Sequence, residues 1–309
     1  MKKKTKPMKD IAIDTGRDAG YENRRWLYHL TLPWNLLLTA WVALKKVISL
    51  KTKFSTFWVD GISLPARGIK EGAASWRALD IIYNYKFGQE VGFTGRLNDY
   101  WLAILNAQAV RNRLKLVKRE LVGAIMEVAQ RESEVRLLSL ASGSAQGVIE
   151  AMAETRDINL KVTLLDLDVT AVEYSKRLAA EYGVSRQISF IVGSTSHFDR
   201  AGGGLKPHII EMVGFLDYRP RTKAIRLIKR IYEFLPPGGK FLTANIISNP
   251  ERYFLHWILN WRMIYRKPEE LAALVIEAGF APEHCRIICE PHRIHAVAIC
   301  TKPGSSDRP

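Results

Sequence analysis

From Val135 to Lys302 the chain alternates short apolar runs with longer amphipathic ones, and this alternation restricts the fold more than any other feature. "VRLLSL" (135–140), "KVTLLDLD" (161–168), "QISFIVG" (187–193), "KPHIIEMVG" (206–214) and "KFLTANII" (240–247) read as five buried strands. Between them lie "GVIEAMAET", "VTAVEYSKRLAAEYGV" and "RTKAIRLIKRIYEFLPPGG", which read as helices. "KPEELAALVIEAGF" is a further helix, and "CRIICEP" with "IHAVAICTK" forms a closing hairpin. Strands separated by helices need crossovers, so they assemble as a parallel sheet with both faces covered. The expectation is an α/β, doubly wound, mostly parallel sheet of seven strands with a C-terminal β-hairpin.

Upstream, Arg96 to Glu132 reads as one or two amphipathic helices, because Leu114, Val117, Leu121, Ile125 and Val128 recur at three and four residues. Phe54 to Gly95 is aromatic-rich and reads as irregular. The chain therefore divides into an N-terminal extension, 1–95, and a main domain, 96–309. Leu30 to Lys53 reads as a helix with Pro33 in its first turn and a narrow polar stripe of Asn35, Thr39, Lys46, Ser49 and Lys53. Its uncharged part is too short to span a bilayer comfortably. Two roles fit it. It packs as a lid on the main domain, or it lies in a membrane interface with Trp34 and Trp41 at headgroup depth.

Charge bears on partners. Residues 1–130 carry 22 Lys and Arg against 11 Asp and Glu, while 131–309 carry 24 against 20. A basic half suits an anionic surface, lipid or nucleic acid, and equally a solvated face. Cys285, Cys289 and Cys300 make neither a disulfide framework nor a tetrahedral zinc set, so no metal is expected and a reducing, cytoplasmic compartment fits. The start of the chain is basic and lacks the apolar core of a secretory signal.

The site is expected where "LLSLASGSAQG" (137–147) ends the first strand of the alternation in Ala, Ser and Gly alone. In doubly wound sheets ligands bind at the carboxyl ends of the strands, beside the first strand-to-helix turn. Small residues let the backbone approach a ligand there, and the helix N-terminus offers free N–H groups. The next strand ends in "LLDLD", which places an acid to bond a ribose diol: Asp166 first, Asp168 second, the latter also suited to cap the next helix.

These motifs resemble those of class I S-adenosylmethionine-dependent methyltransferases, over about residues 96–302. The resemblance implies a Rossmann-like sheet with S-adenosylmethionine as cofactor. It puts the first motif at Ser139, Ala141, Gly143 and Ala145, with Ser139 where the family has an acid. Ser142, Asp166, Leu167 and Gly214 join these as cofactor-binding candidates, and Ser194 stands where an acid often meets adenine. The pieces "GFLDYRPRTKAIRLIKRIYEFLPPGGKFLTANI" and "FLHWILNWRMIYRKPEELAALVIEAGF" are similar to a bacterial subgroup associated with 3-hydroxypalmitate methyl ester formation. What this implies is methyl transfer to oxygen of a small lipophilic acid or hydroxyl compound.

A carboxylate acceptor needs no base; an alcohol does. The catalytic candidates are Asp217, Tyr218 and Arg266, with Arg266 holding an anionic group and Asp217 also suited to cap the helix near Pro220. His197 and His256 fit surface or packing roles better. Neither Asn/Asp-Pro-Pro-Tyr/Phe nor Pro-Cys follows the fourth strand, which argues against base-amine and cytosine C5 methylation. Nucleic acid is thus the less favoured partner. An RNA methyltransferase using the basic half, and a cofactor-binding protein without activity, remain the alternatives.

Overall fold

The computed structural model describes residues 11–16, 20–24, 26–48, 57–201 and 206–304. Eight strands form one sheet: β1 (Ala12–Thr15), β2 (Val135–Leu140), β3 (Leu160–Asp166), β4 (Ile188–Val192), β5 (Ile209–Met212), β6 (Lys240–Ile246), β7 (Cys285–Cys289) and β8 (His295–Thr301). Their order is β1-β7-β8-β6-β5-β2-β3-β4. Only β8 runs antiparallel, against both β6 and β7. Seven of these are the strands read from the alternation. The eighth, β1, is a difference: Ala12–Thr15 pairs parallel with Arg286–Cys289 and satisfies the open edge of β7.

The helices are α1 (Trp26–Ile48), α2 (Leu64–Glu71), α3 (Trp76–Asn84), α4 (Gly92–Leu102), α5 (Leu105–Ala129), α6 (Gln146–Glu154), α7 (Val169–Glu181), α8 (Phe198–Ala201), α9 (Arg221–Phe234), α10 (Arg252–Trp257) and α11 (Pro268–Glu277). The central strands are apolar on both faces because both are covered. Leu137 packs with Leu121, Ile125 and Ile149 of α5 and α6. Its neighbour Leu138 points the other way, to Ile228 and Leu274 of α9 and α11. Each fully buried leucine contributes about 1.5–3 kcal/mol.

A third core joins the N-terminal helices to α10: Leu38, Ile69, Ile82 and Trp101 meet Phe254 and Leu255 there. Two expectations change here. Residues 54–95, read as irregular, contain α2, α3 and the start of α4. Ser63 caps α2 by accepting the Ala66 N–H at 3.2 Å, and Pro65 sits in its first turn, so local chemistry starts a helix too short to show a clear period. The apolar helix begins at Trp26, so Pro33 lies inside it rather than at its start. A proline there removes one backbone bond, and Tyr100 Oη donates to the Leu30 carbonyl at 3.4 Å just ahead of it. Of the expected polar stripe, Ser49 and Lys53 lie outside the described residues.

Candidate active site

The strand order reverses at β2, whose neighbours are β3 and β5, and the loops at their carboxyl ends open a cleft of about 370 Å³. The turn after β2 explains its own composition. Ala141, Gly143 and Ala145 have φ of 51°, 56° and 53°, so alternate residues are left-handed. Only one is glycine; alanine is held there at about 1–2 kcal/mol each. A side chain at Gly143 would also press on Trp76 Cβ, 3.2 Å from where its Cβ would stand. The turn is tied down by the Ser142 N–H donating to Leu165 O (3.1 Å) and the Gly143 N–H donating to Asp166 (2.8 Å).

Eight of the nine cofactor-site candidates line this cleft. Ala141, Ser142, Gly143 and Ala145 form its floor; Asp166, Leu167 and Ser194 form one wall, and Gly214 the other. Leu167 is 73% exposed, an apolar side chain presented to the cleft. Asp168 caps α7, accepting the Thr170 N–H at 2.8 Å, and the Thr170 hydrogen bonds hold its pKa below the usual carboxylate value. Trp76 of α3 donates to Asp168 (3.2 Å) and packs on Tyr174, ring centroids 4.7 Å apart, so the N-terminal region covers part of the cleft.

Ser139, the ninth candidate, is fully buried behind the turn. It lies opposite Glu211 in the β2–β5 register and donates to it at 2.5 Å. The Val213 N–H donates to the other Glu211 oxygen at 2.9 Å. Burial pushes the Glu211 carboxyl up to about 7 despite these bonds.

A second, apolar cavity of about 50 Å³ lies beside the cleft, walled by Ile69, Ile82, Trp101, Phe254, Leu259 and Trp261 among others. Leu79, Arg113, Gly214 and Tyr218 line both spaces. Gly214 has φ +81°, and its absent side chain leaves room beside the Arg113 guanidinium. Arg113 comes from α5. Burial works against its charge, yet Tyr83, Asp217 and Tyr218 hold its pKa above the usual value. Its Nη2 donates to Tyr83 (3.1 Å), while its buried Nε–H meets no acceptor among the described residues.

Asp217 lines the apolar cavity and Tyr218 lines both spaces. Asp217 accepts the Ile246 N–H at 2.8 Å, and burial raises its pKa. It does not cap α9, whose N-cap is Pro220. Tyr218 accepts from Trp261 Nε1 at 2.7 Å, and burial keeps it a phenol. Arg266 is not brought to either space. It donates to the Leu216 carbonyl (2.8 Å), to the Asn245 side chain and to the Arg219 carbonyl, tying the turn after β5 to β6. His197 is exposed, and neither it nor His256 lines the cleft or the cavity.

Three site groups escaped the sequence reading. Glu211 was visible as an acid inside an apolar strand, "HIIEMV". Arg113 sits beside the Leu114–Val117 stripe of α5 without a distinguishing local mark. His295 begins β8, lines the apolar cavity, and is fully buried with neither ring nitrogen bonded to a described residue. Burial and the Arg113 charge hold it neutral.

A mostly parallel sheet that reverses at a small-residue turn and closes with the antiparallel hairpin β7–β8 is the Rossmann-like fold of methyltransferases. The chain belongs to the family described as "Putative methyltransferase", whose model matches residues 18–302. No curated protein matches the sequence. Among solved structures it is similar to a "possible exported protein" from Bordetella parapertussis (16% identity, TM-score 0.66, covering 78% of this chain and 87% of that one). An O-methyltransferase family protein from Burkholderia thailandensis shares the fold at 14% identity and TM-score 0.50, covering 91% and 71%. A magnesium protoporphyrin IX methyltransferase from Synechocystis, solved with bound S-adenosylhomocysteine, shares it at 13% and 0.51, covering 72% and 90%.

Proposed function

We propose that this protein uses S-adenosylmethionine to methylate an oxygen of a small lipophilic acid or hydroxyl compound. The observation that carries the reading is the junction at Arg113, Gly214 and Tyr218, where the polar cleft and the apolar cavity share a wall. A nucleoside cofactor fits the first space; the second, at about 50 Å³, is an apolar seam that must widen to admit an acceptor. S-adenosylmethionine supplies a methyl group that is already electrophilic, so the protein's task is alignment and exclusion of water.

The assigned roles follow from position. The Ala141–Ala145 turn and the N-terminus of α6 face the methionine part. Asp166 meets the ribose, Leu167 packs on adenine, and Ser194 borders it. Tyr218 and Asp217 stand at the acceptor, and Arg266 positions both by bracing their turn. Arg113 takes over the role expected of Arg266. Its unpaired Nε–H suits an anionic acceptor, since a buried donor left unmade costs about 1–3 kcal/mol. A carboxylate acceptor is therefore favoured, which agrees with the methyl-ester subgroup that the sequence resembles. A hydroxyl acceptor would instead use Asp217 or neutral His295 as base. The cavity is narrow, so a long acyl chain would have to part α2, α10 and their neighbours.

The exposed apolar face of α1 supports a second part of the reading, peripheral contact with an anionic membrane surface on the cytoplasmic side. No described helix is long and apolar enough to cross a membrane. The test of the catalytic reading is transfer from methyl-labelled S-adenosylmethionine to a panel of fatty and aromatic acids and their alcohol analogues. Label in base-labile methyl esters is expected. Label in base-stable ethers would move the reading to the hydroxyl, and label in RNA alone would contradict it.

A further inference from the structure

We propose that Glu211 is the acid that the first motif lacks: displaced by one strand onto β5, it receives the ammonium group of the cofactor's methionine end. This rests on the cofactor reading above. Ser139 occupies the position where an acid is expected, and the β2–β5 register sets Glu211 directly across from it. The carboxyl group is thus moved sideways along the sheet, not lost. It lines the same cleft, next to the left-handed turn and Gly214.

The surroundings of Glu211 argue for a cationic ligand. The carboxylate is buried and has no ion-pair partner within 4.0 Å among the described residues. Each oxygen accepts one hydrogen bond, from Ser139 and from Val213, which leaves acceptor capacity on both. Arg113 of α5 is the charged group that acts on it; Ser139 of β2 and Leu242 of β6, its register partners, carry no charge. Asp217 competes for the same Arg113 charge. Asp217 has the Arg266 charge as well, whereas Glu211 has Arg113 alone, and that at more than ion-pair distance, so the place for one more positive group is beside Glu211. An ammonium on Glu211 supplies it, and Ser139 then holds the carboxylate in place.

Two ligands separate this from a structural role. S-adenosylhomocysteine carries the amino-acid end; 5′-methylthioadenosine lacks it and keeps the nucleoside. In calorimetry, Glu211→Gln should weaken S-adenosylhomocysteine by about 10- to 100-fold, as for a lost charge-assisted hydrogen bond. Methylthioadenosine should change by less than about twofold. Gln can still bond Ser139 and Val213, so the fold is expected to persist.

The wild-type protein gives a reading that needs no variant. A carboxyl held near 7 in the free protein must ionise to bind ammonium. Affinity for S-adenosylhomocysteine should therefore rise about fivefold to tenfold from pH 6 to 7.5, with the methylthioadenosine affinity flat. In Glu211→Gln the rise should vanish. Equal losses for both ligands, no loss for either, or a flat wild-type pH profile for S-adenosylhomocysteine overturns the assignment. Failure of the wild-type protein to bind either nucleoside would instead overturn the cofactor reading, and this assignment with it.

Discussion

Ala141 and Ala145 show how a motif can keep its geometry while losing its glycines. Both hold φ near +50°, a region alanine enters at about 1–2 kcal/mol and a β-branched residue scarcely enters at all. The small-residue composition was legible in the sequence; the alternation of left-handed residues, and its strain, was not. Ala145→Gly should be neutral to about 1 kcal/mol stabilising, because relief of strain is partly offset by glycine's freedom in the unfolded chain. Ala145→Val should destabilise by about 1–3 kcal/mol and displace the turn at the floor of the cleft. Thermal melts with and without S-adenosylhomocysteine check both; equal melting temperatures for the two variants would contradict the strain argument. Asp166, Leu167 and Gly214 were legible as cleft-lining positions because each lies at or just past the end of a strand. Glu211 showed only as an acid inside an apolar strand, and the places of Arg113 and His295 were not legible, because strand register and helix rotation bring these groups together.

At the scale of elements, the strands were legible because burial on both faces leaves unbroken apolar runs. α2 and α3 were not, because they are short and are held by each other, α2 also against α4 and α3 against α5, rather than by a long period. α1 is the unusual element. Asn35 is buried against the protein, whereas Trp26, Leu30, Leu37 and Leu44 face outward along one stripe, Trp26 and Leu37 each 63% exposed. Meanwhile Trp41 meets Trp257 of α10 edge to face, centroids 6.1 Å apart. The helix therefore packs as a cover through one face while presenting apolar surface on the other. Such a stripe, in a half of the chain with +11 net charge, is expected to bind vesicles containing anionic lipid at low salt. Leu30→Glu with Leu37→Glu should abolish flotation with those vesicles and leave S-adenosylhomocysteine binding intact. If the wild-type chain never floats, or is a dimer that dissociates in this variant, the stripe is a protein interface instead.

At the scale of the whole molecule, the N-terminal region and the doubly wound sheet complete one another. The sheet provides the cleft and the acid-ended strand β3; α2, α4 and α10 wall the apolar cavity; α5 joins the two through Arg113. On the proposed reading, a cofactor in the cleft presents its reacting sulfur to that cavity. A crystal structure of the full chain with S-adenosylhomocysteine tests it most directly. Adenine is expected against Leu167 and Ser194, ribose on Asp166, and sulfur beside Gly214 and Tyr218, open toward the apolar cavity. A ligand bound elsewhere, or a sulfur turned away from Tyr218 and the cavity, would contradict it.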